Sequence, residues 1–126
     1  MTATMRSLQQ ATTSRITVST ARTASYSGTA FDSIDYDGNG KVIMDVGTVS
    51  GTTPTCDFKL TESDTSGGTY TDITGATAAQ ITATGVREIA YDVAKAKRWI
   101  KVAGTIAGTS PSFAVAELFV GFKKYI

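Results

Sequence analysis

Short runs in which apolar and polar residues alternate recur along most of the chain, and residues typical of turns separate them. The clearest run is Thr55–Ser63, where Cys56, Phe58 and Leu60 share one side, as in a strand with one buried face. The other segments with a strand pattern are Lys41–Thr48, Tyr70–Ile73, Ala78–Thr82, Glu88–Val93, Arg98–Ile106 and Phe113–Phe122. The last two are the longest apolar stretches, and we expect them at the centre of a sheet. Short strands at a spacing of about ten residues predict an all-β fold, an antiparallel β-sandwich of jelly-roll or immunoglobulin-like type.

Residues 1–28 do not share this alternation. They are rich in serine and threonine and contain no acidic residue, and only Ile16 and Val18 alternate as strand residues do. We therefore predict an extended N-terminal arm over residues 1–28, followed by a β-sandwich domain over residues 29–126.

One pattern of nine residues occurs twice, 57 residues apart. Gly47–Thr55 reads GTVSGTTPT, and Gly104–Ser112 reads GTIAGTSPS. Because glycine permits unusual φ values and proline fixes φ, we interpret both copies as hairpin connections between strands. The two copies either form a shared contact surface at one end of the sandwich or reflect turn chemistry that arose twice.

The composition agrees with one β domain. The chain has 126 residues, of which 41% are apolar, and it contains 22 threonines and 12 glycines. Threonine is β-branched and favours strands, and this length is sufficient for one buried core. No apolar run approaches the roughly 18 residues of a membrane span, so we expect no membrane partner. The N-terminus lacks the apolar core of a signal peptide, which predicts a protein that is made and used without Sec export.

Charge is distributed unevenly along the chain. Residues 1–30 carry +3, from Arg6, Arg15 and Arg22; residues 31–92 carry −7, and residues 93–126 carry +5. These three arginines are candidate interface residues, because a basic arm suits an acidic partner surface or the acidic middle of a neighbouring copy. Alternatively, they only keep a mobile tail soluble. The arm lacks the dense basic run that phosphate neutralisation requires, so we expect no nucleic-acid partner.

The residue types needed for catalysis are scarce. The chain has no histidine, which is the commonest general base, and its one cysteine, Cys56, lies in a predicted strand beside apolar residues. A Cys/His zinc site and a disulfide within the chain are both excluded by these counts. Neither a nucleophile elbow nor a glycine-rich phosphate loop is present. We therefore expect that the protein is not an enzyme and has no catalytic residue and no cofactor.

One segment resembles the start of a calcium-binding loop. In DYDGNG, the residues Asp35, Asp37 and Asn39 have the spacing of the first three ligands. The twelfth position is Val46 instead of a bidentate glutamate, and neither flank is helical. Since Asp, Asn and Gly also favour tight turns without a metal, we interpret the segment as a turn and keep calcium as the weaker alternative.

Arg98 and Trp99 form the remaining candidate pair. Arginine and tryptophan are frequent at interaction hot spots, so these two residues are candidate interface residues. The competing interpretation is a strand-end arginine beside a core tryptophan. The tyrosines are scattered among turns and termini, whereas a carbohydrate-binding module usually presents clustered aromatic residues.

Residues 29–122 resemble the small capsid decoration, or cement, proteins encoded in the head-gene clusters of tailed phages and prophages. The resemblance lies in Gly47–Pro54 with the following CDFKLTESDTSGGTYTDITGA, and in KRWIKVAGTIAGTSPSFAVAELFVG. It implies a β-sandwich that is assembled in the host cytoplasm, lies on the capsid surface of the virion, binds the major capsid protein and stabilises the shell. It also implies a homo-oligomer, with a trimer favoured.

We add the hypothesis that the body acts as a plug on the shell and the N-terminal arm as a clamp. Two alternatives remain open. The first is a receptor- or carbohydrate-binding module of a tail fibre or surface protein, and the second is a head-completion or tail protein.

Overall fold

The computed structural model describes residues 11–124, and every regular element within this range is a β-strand. The strands are β1 (Ala11–Arg22), β2 (Tyr26–Ser27), β3 (Phe31–Asp32), β4 (Tyr36–Ser63), β5 (Thr71–Thr77), β6 (Gly85–Asp92) and β7 (Trp99–Lys123). Within the same range there is no helix long and apolar enough to cross a membrane. The predicted all-β class is confirmed.

Two long strands, β4 and β7, occupy the centre of the fold. They pair antiparallel from Tyr36 opposite Lys123 to Ser63 opposite Trp99. Strands β1, β2 and β3 pair with the other side of β7, while β5 and β6 pair with the other side of β4. The two apolar stretches expected at the centre of a sheet are therefore the two halves of β7.

Because β4 and β7 both bend near their middle, a single sheet forms the two layers of a sandwich. The first layer contains β1, β6 and the halves of β4 and β7 at residues 36–46 and 113–123. The second layer contains β2, β3, β5 and the halves at residues 55–63 and 99–107. Phe31 of the second layer stacks on Phe119 of the first, with 4.5 Å between ring centroids, so the layers face each other. The predicted antiparallel β-sandwich is confirmed.

The two copies of the nine-residue repeat form the bend. Neither copy reverses the chain, so the interpretation as hairpin connections was wrong; the copies lie in β4 and β7 and pair with each other, with Thr52 opposite Thr109. Ser50 pairs with Ser112, and their counterparts in the other copy, Ala107 and Thr55, also pair with each other. An approximate twofold rotation therefore relates the two copies.

Positive φ values explain why the strands bend at this point. Gly51 and Gly108 have φ values of 110° and 119°, and Thr53 and Ser110 have values of 48° and 49°. The register of β4 against β7 shifts on both sides of Thr52. A glycine at positive φ beside a register shift is a β-bulge signature, and bulges bend a strand and increase its twist. Glycine and proline therefore mark a bend within two strands here instead of two turns.

The core lies between the two layers and includes buried residues from β3, β4, β5, β6 and β7. Along β4 and β7, buried and partly exposed residues alternate, as strands with one buried face require. The fully buried apolar side chains with the largest volumes are Phe58, Phe113, Phe119, Met44, Leu60 and Ile100. Cys56 is also buried with a free thiol, and burial raises its pKa to about 12.

The described part of the predicted arm lies against the body of the same chain. β1 pairs antiparallel with β7 from Ala11 opposite Phe122 to Arg22 opposite Phe113, with two register shifts between Arg15 and Thr20. β2 then pairs with β7 further along its length. Residues 11–22 and 26–27 are thus extended but belong to the sheet, and the boundary between arm and body at residue 28 stays a prediction.

Candidate interaction surface

The outer side of the first layer is mostly apolar. Val42, Met44 and Val46 of β4 point into the core, so the residues between them point outward. The same alternation applies to β6 and β7. The outward apolar residues, which we call the apolar face, are Ile43, Val86, Ala90, Ala116, Leu118, Val120 and Phe122. Val86 is 51% exposed, and the exposed Val18 of β1 lies beside this face.

The few charges on this side of the sheet balance each other. Lys41 Nζ lies 3.2 Å from Glu88 Oε1, and both side chains are about half exposed. Asp45 and Arg15 line the same shallow depression, whose floor includes Leu118. A surface with little net charge and several aliphatic side chains gains free energy when a partner removes it from water.

Two shallow depressions lie at opposite ends of the apolar face. The first measures about 300 Å³, and its lining includes Ala90, Val120 and Phe122. The second measures about 320 Å³, with Val18 and Ala116 in its lining. Each is large enough for a side chain of a docked partner.

The outer side of the second layer has a different chemistry. Lys59 pairs with Asp72 at 3.0 Å, and the Lys101 ammonium lies 4.4 Å from the centre of the Tyr70 ring. The Gln80 amide donates to Asp57 at 3.1 Å. Because these polar groups already have partners, the second layer offers a docking protein less than the apolar face does.

Trp99 begins β7 on the second layer, and Arg98 immediately precedes it. Arg98 donates from Nε and Nη2 to the two oxygens of Asp32 at 2.9 and 2.8 Å, and its guanidinium lies 5.3 Å from the Trp99 ring centre. The hydrogen bonds from Arg98 lower the pKa of Asp32. Trp99 is partly buried between Asp32 and Ser63 on its neighbouring strands. The role of this pair in an interface stays a prediction.

The three arginines of the N-terminal segment have different surroundings. Arg15 is exposed beside the apolar face, whereas Arg22 is partly buried with its guanidinium 4.1 Å from the centre of the Tyr26 ring. Arg6 lies outside the described residues. Sequence reasoning grouped these residues, and the structure separates Arg15 from Arg22 by placing them on opposite sides of β1.

Most of the DYDGNG segment is strand, since only Asp35 lies in a turn and residues 36–40 begin β4; the interpretation of the whole segment as a turn was wrong. Its backbone carbonyls at Asp35 and Gly38 accept hydrogen bonds from the amides of Lys124 and Val93, at 2.7 and 2.8 Å. Gly38 has a φ of 68° within β4, where the register against β7 shifts between Asp37 and Lys41, as in a β-bulge. Asp37 and Asn39 lie at the start of β4. Among residues 11–124 no group of three or more Asp, Glu, Cys or His side chains is arranged to hold a metal ion.

Sequence reasoning missed a buried polar cluster that joins the N-terminal segment to β7. Glu117 is fully buried, and its carboxylate accepts hydrogen bonds from the hydroxyls of Tyr26, at 2.7 Å, and Thr17, at 3.3 Å. Arg22 supplies a nearby positive charge. We call Thr17, Arg22, Tyr26 and Glu117 the polar cluster. A signal was present in FAVAELFVG, because Glu117 falls on the same side of the strand as Phe113, Val115 and Phe119.

Stability is expected to depend on pH through this carboxylate. Burial raises the pKa of Glu117, although its hydrogen bonds and Arg22 partly offset the effect. A folded-state pKa above the unfolded value stabilises the fold below the unfolded pKa, and this contribution is lost as pH rises through the folded value. Relative to Glu117→Gln, the wild type should therefore lose thermal stability as the pH rises above about 4.5, the ordinary pKa of glutamate. Parallel melting curves of both proteins at several pH values will measure this difference, and identical pH profiles would contradict the assignment.

Comparison with known proteins places the chain in a structural class but not in a family. No protein-family model matches the chain, and no curated protein sequence is detectably similar to it. Three similar solved structures illustrate the class. The crystal structure of the SPBc2 prophage-derived protein YomS aligns with a TM-score of 0.52 and 13% identity, over 90% of this chain and 95% of that chain.

The other two structures align over a smaller share of their own chain or with a lower TM-score. A chain from the structure of infectious bursal disease virus, Gx strain, aligns with a TM-score of 0.53 and 12% identity, over 91% of this chain but only 32% of that chain. A chain of Bacillus endospore appendages, which form disulfide-linked pili, aligns at 0.46 and 13% identity, over 93% and 91% of the two chains. At such identities the first two alignments show a shared β fold.

Proposed function

We propose that this protein is a structural component of a phage particle, and that it binds the outer surface of the capsid shell as a decoration, or cement, protein. The observation that carries the proposal is the contrast between the two outer sides of the sandwich, of which only the first layer exposes a nearly neutral apolar face. Contiguous exposed apolar surface commonly marks a site of protein interaction. The fold shared with a prophage-derived protein over almost the whole of both chains supports the phage setting.

The rigid sandwich suits the role of a plug on a protein shell. Antiparallel pairing between β4 and β7 continues through both layers, so the apolar face is held by the central strands of the fold and not by loops. The major capsid protein is the proposed partner. Since Lys41 and Glu88 neutralise each other, the matching surface of the shell is expected to be apolar and without a strong net charge.

The N-terminal segment is proposed to act as a clamp beside this plug. A body and a clamp that bind together raise the effective concentration of each contact, so modest contacts can hold the protein on the shell. A homo-oligomer, with a trimer favoured, would multiply the effect further.

Quantitative mass spectrometry on gradient-purified particles of the source phage tests the proposal. A ratio near one copy per coat subunit, or one per three, is expected for a protein that covers the shell. A handful of copies per particle would instead indicate a tail or head-completion protein. Absence from particles would refute a structural role and favour the receptor- or carbohydrate-binding alternative.

The docking surface can be tested with one pair of variants. Ala116→Lys places a charge on the apolar face, and Thr105→Lys places one on the outer side of the second layer; each lysine lies opposite an aspartate of β4, Asp45 or Asp57. A desolvated lysine at the interface is expected to lower the affinity for shells about tenfold or more, which corresponds to about 1.4 kcal/mol. Thr105→Lys should bind as the wild type does. Equal binding by both variants, with unchanged melting temperatures, would rule out the apolar face as the docking surface.

A further inference from the structure

We propose that β1 is exchanged between copies of this chain, so that β1 of one copy completes the sheet of a second copy. The proposal deepens the clamp role and rests on the proposed function for its biological setting. It identifies the clamped neighbour as another copy, the clamp as β1, and the receiving site as the edge of β7 at residues 113–122.

The position of β1 makes exchange topologically simple. β1 lies at the edge of the first layer and, among residues 11–124, pairs only with β7. Only residues 23–25 separate it from β2. Because β1 precedes the other described strands in the chain, it can leave β7 without unthreading any of them. Exchange of one identical element between protomers is a low-cost route to an oligomer.

The contacts that hold β1 are mostly backbone hydrogen bonds and polar side-chain contacts. Among the β1 side chains that the structure describes, only Ile16 packs against the apolar core. Two register shifts interrupt its pairing with β7 around Thr17. Arg22 is held by the Tyr26 ring and the nearby Glu117 charge, while its Nε is buried without a hydrogen-bond partner. A strand with so little apolar burial separates from its sheet at a lower cost than a core strand does.

The receiving site on β7 nevertheless requires a β1 strand. Glu117 is fully buried and depends on Thr17 for one of its two hydrogen bonds from side-chain hydroxyls, and on Arg22 for a compensating charge. A buried carboxylate that loses its partners is strongly unfavourable. Glu117 therefore recognises β1 by its chemistry, because it requires a hydroxyl and a guanidinium at a fixed spacing. β1 from any copy of this chain supplies both groups.

The segment between β1 and β2 has the features of a hinge. The last residue of β1 pairs with Phe113 of β7, and the first residue of β2 pairs with Gly104. Residues 23–25 therefore span the same distance as residues 105–112 of β7. Residues 23–25 are exposed. Ser25 Oγ accepts a hydrogen bond from the Ile106 amide at 2.9 Å, which holds the start of β2 on its own β7. A connection this short favours exchange, because it is relieved of spanning this distance when β1 moves to another copy.

Disulfide trapping between differently tagged copies tests the exchange on purified protein. Thr13 lies opposite Val120 in the β1–β7 pair, at the separation that a disulfide can bridge. Copies with Thr13→Cys and copies with Val120→Cys are unfolded together, refolded at high concentration and oxidised. We expect a covalent heterodimer carrying both tags. The pair Thr13→Cys with Val86→Cys controls for random collision, because Val86 is exposed on β6 at the opposite edge of the layer.

The double variant Thr13→Cys, Val120→Cys shows whether the cysteines can react in a folded chain. If it forms only an internal crosslink at the same concentration and the mixture gives no heterodimer, β1 stays on its own chain and the exchange is refuted. Equal crosslinking of the Val86 control would refute it as well. Either result leaves the copy number on particles unaffected, so the exchange and the proposed function fail independently.

Discussion

Replacing Gly51 with alanine is expected to lower the free energy of unfolding by about 3 kcal/mol, from backbone strain at positive φ together with overpacking. Gly51 has a φ of 110°, and a Cβ atom there would lie 2.7 Å from the Ser110 carbonyl oxygen and 2.8 Å from the Pro111 Cα. These neighbours are backbone atoms of the paired strand, so a side-chain rotation cannot relieve the contact. Chemical denaturation of both proteins measures the loss.

Gly75→Ala separates the two causes. Gly75 also has a positive φ, 78°, but no atom lies within 4 Å of an added Cβ, so this variant should lose only about 1 kcal/mol. Gly108→Ala should resemble Gly51→Ala, because its Cβ would meet the Thr53 carbonyl oxygen at 2.8 Å. If Gly51→Ala and Gly75→Ala lose the same amount, crowding at the bend is not what constrains Gly51, and the close pairing of the two repeats is wrong.

Phe119→Ala is expected to lose about 3–5 kcal/mol, as buried aromatic residues usually do. Phe119 is fully buried and contacts rings from three other strands, with centroids at 4.5 Å for Phe31, 4.7 Å for Tyr36 and 6.4 Å for Tyr91. Its removal therefore leaves a cavity between the two layers. Denaturation midpoints and slopes for wild type and variant will give the difference.

A double-mutant cycle with Gly121 tests the packing around this ring. A Cβ at Gly121 would lie 2.6 Å from two ring atoms of Phe119, so Gly121→Ala alone should cost about 1–3 kcal/mol through overpacking. In the Phe119→Ala background the same change should cost little, with a coupling of about 1–3 kcal/mol. Gly67→Ala is the control, since no atom lies within 4 Å of its added Cβ. Additive losses for Gly121 and Phe119 would show that the ring does not require a glycine beside it.

The strands were predictable from sequence, but their connections were not. The alternation at Lys41–Thr48 and Thr55–Ser63 predicted two strands, and the structure joins them into the single strand β4. Glycine and proline between them were interpreted as a turn. The same residues also suit a bulge, because both features use positive φ. Only the paired partner, here the second copy of the repeat, distinguishes a bend from a reversal.

The apolar face was only partly visible in the sequence. Ile43 interrupts the alternation of β4 and could be seen as a second apolar side, but Ala116, Leu118 and Val120 form a nearly continuous apolar run with their neighbours in β7. Such a run is expected for a central strand covered on both sides. Whether a second layer covers the outer side of this strand depends on where the sheet bends. The apolar run in β7 does not encode that position.

By itself, the sequence determined the all-β class, the buried sides of the main strands, the central position of the apolar stretches Arg98–Ile106 and Phe113–Phe122, and the shortage of catalytic groups. These properties are local or compositional, because a strand's alternation depends on neighbours one or two residues away. Only the tertiary structure decided that the repeats pair, that Glu117 is buried against Thr17 and Tyr26, and that β1 lies on β7. Each of these contacts joins residues that are 52 to 111 positions apart in the chain, and pairing at that range depends on the sheet as a whole.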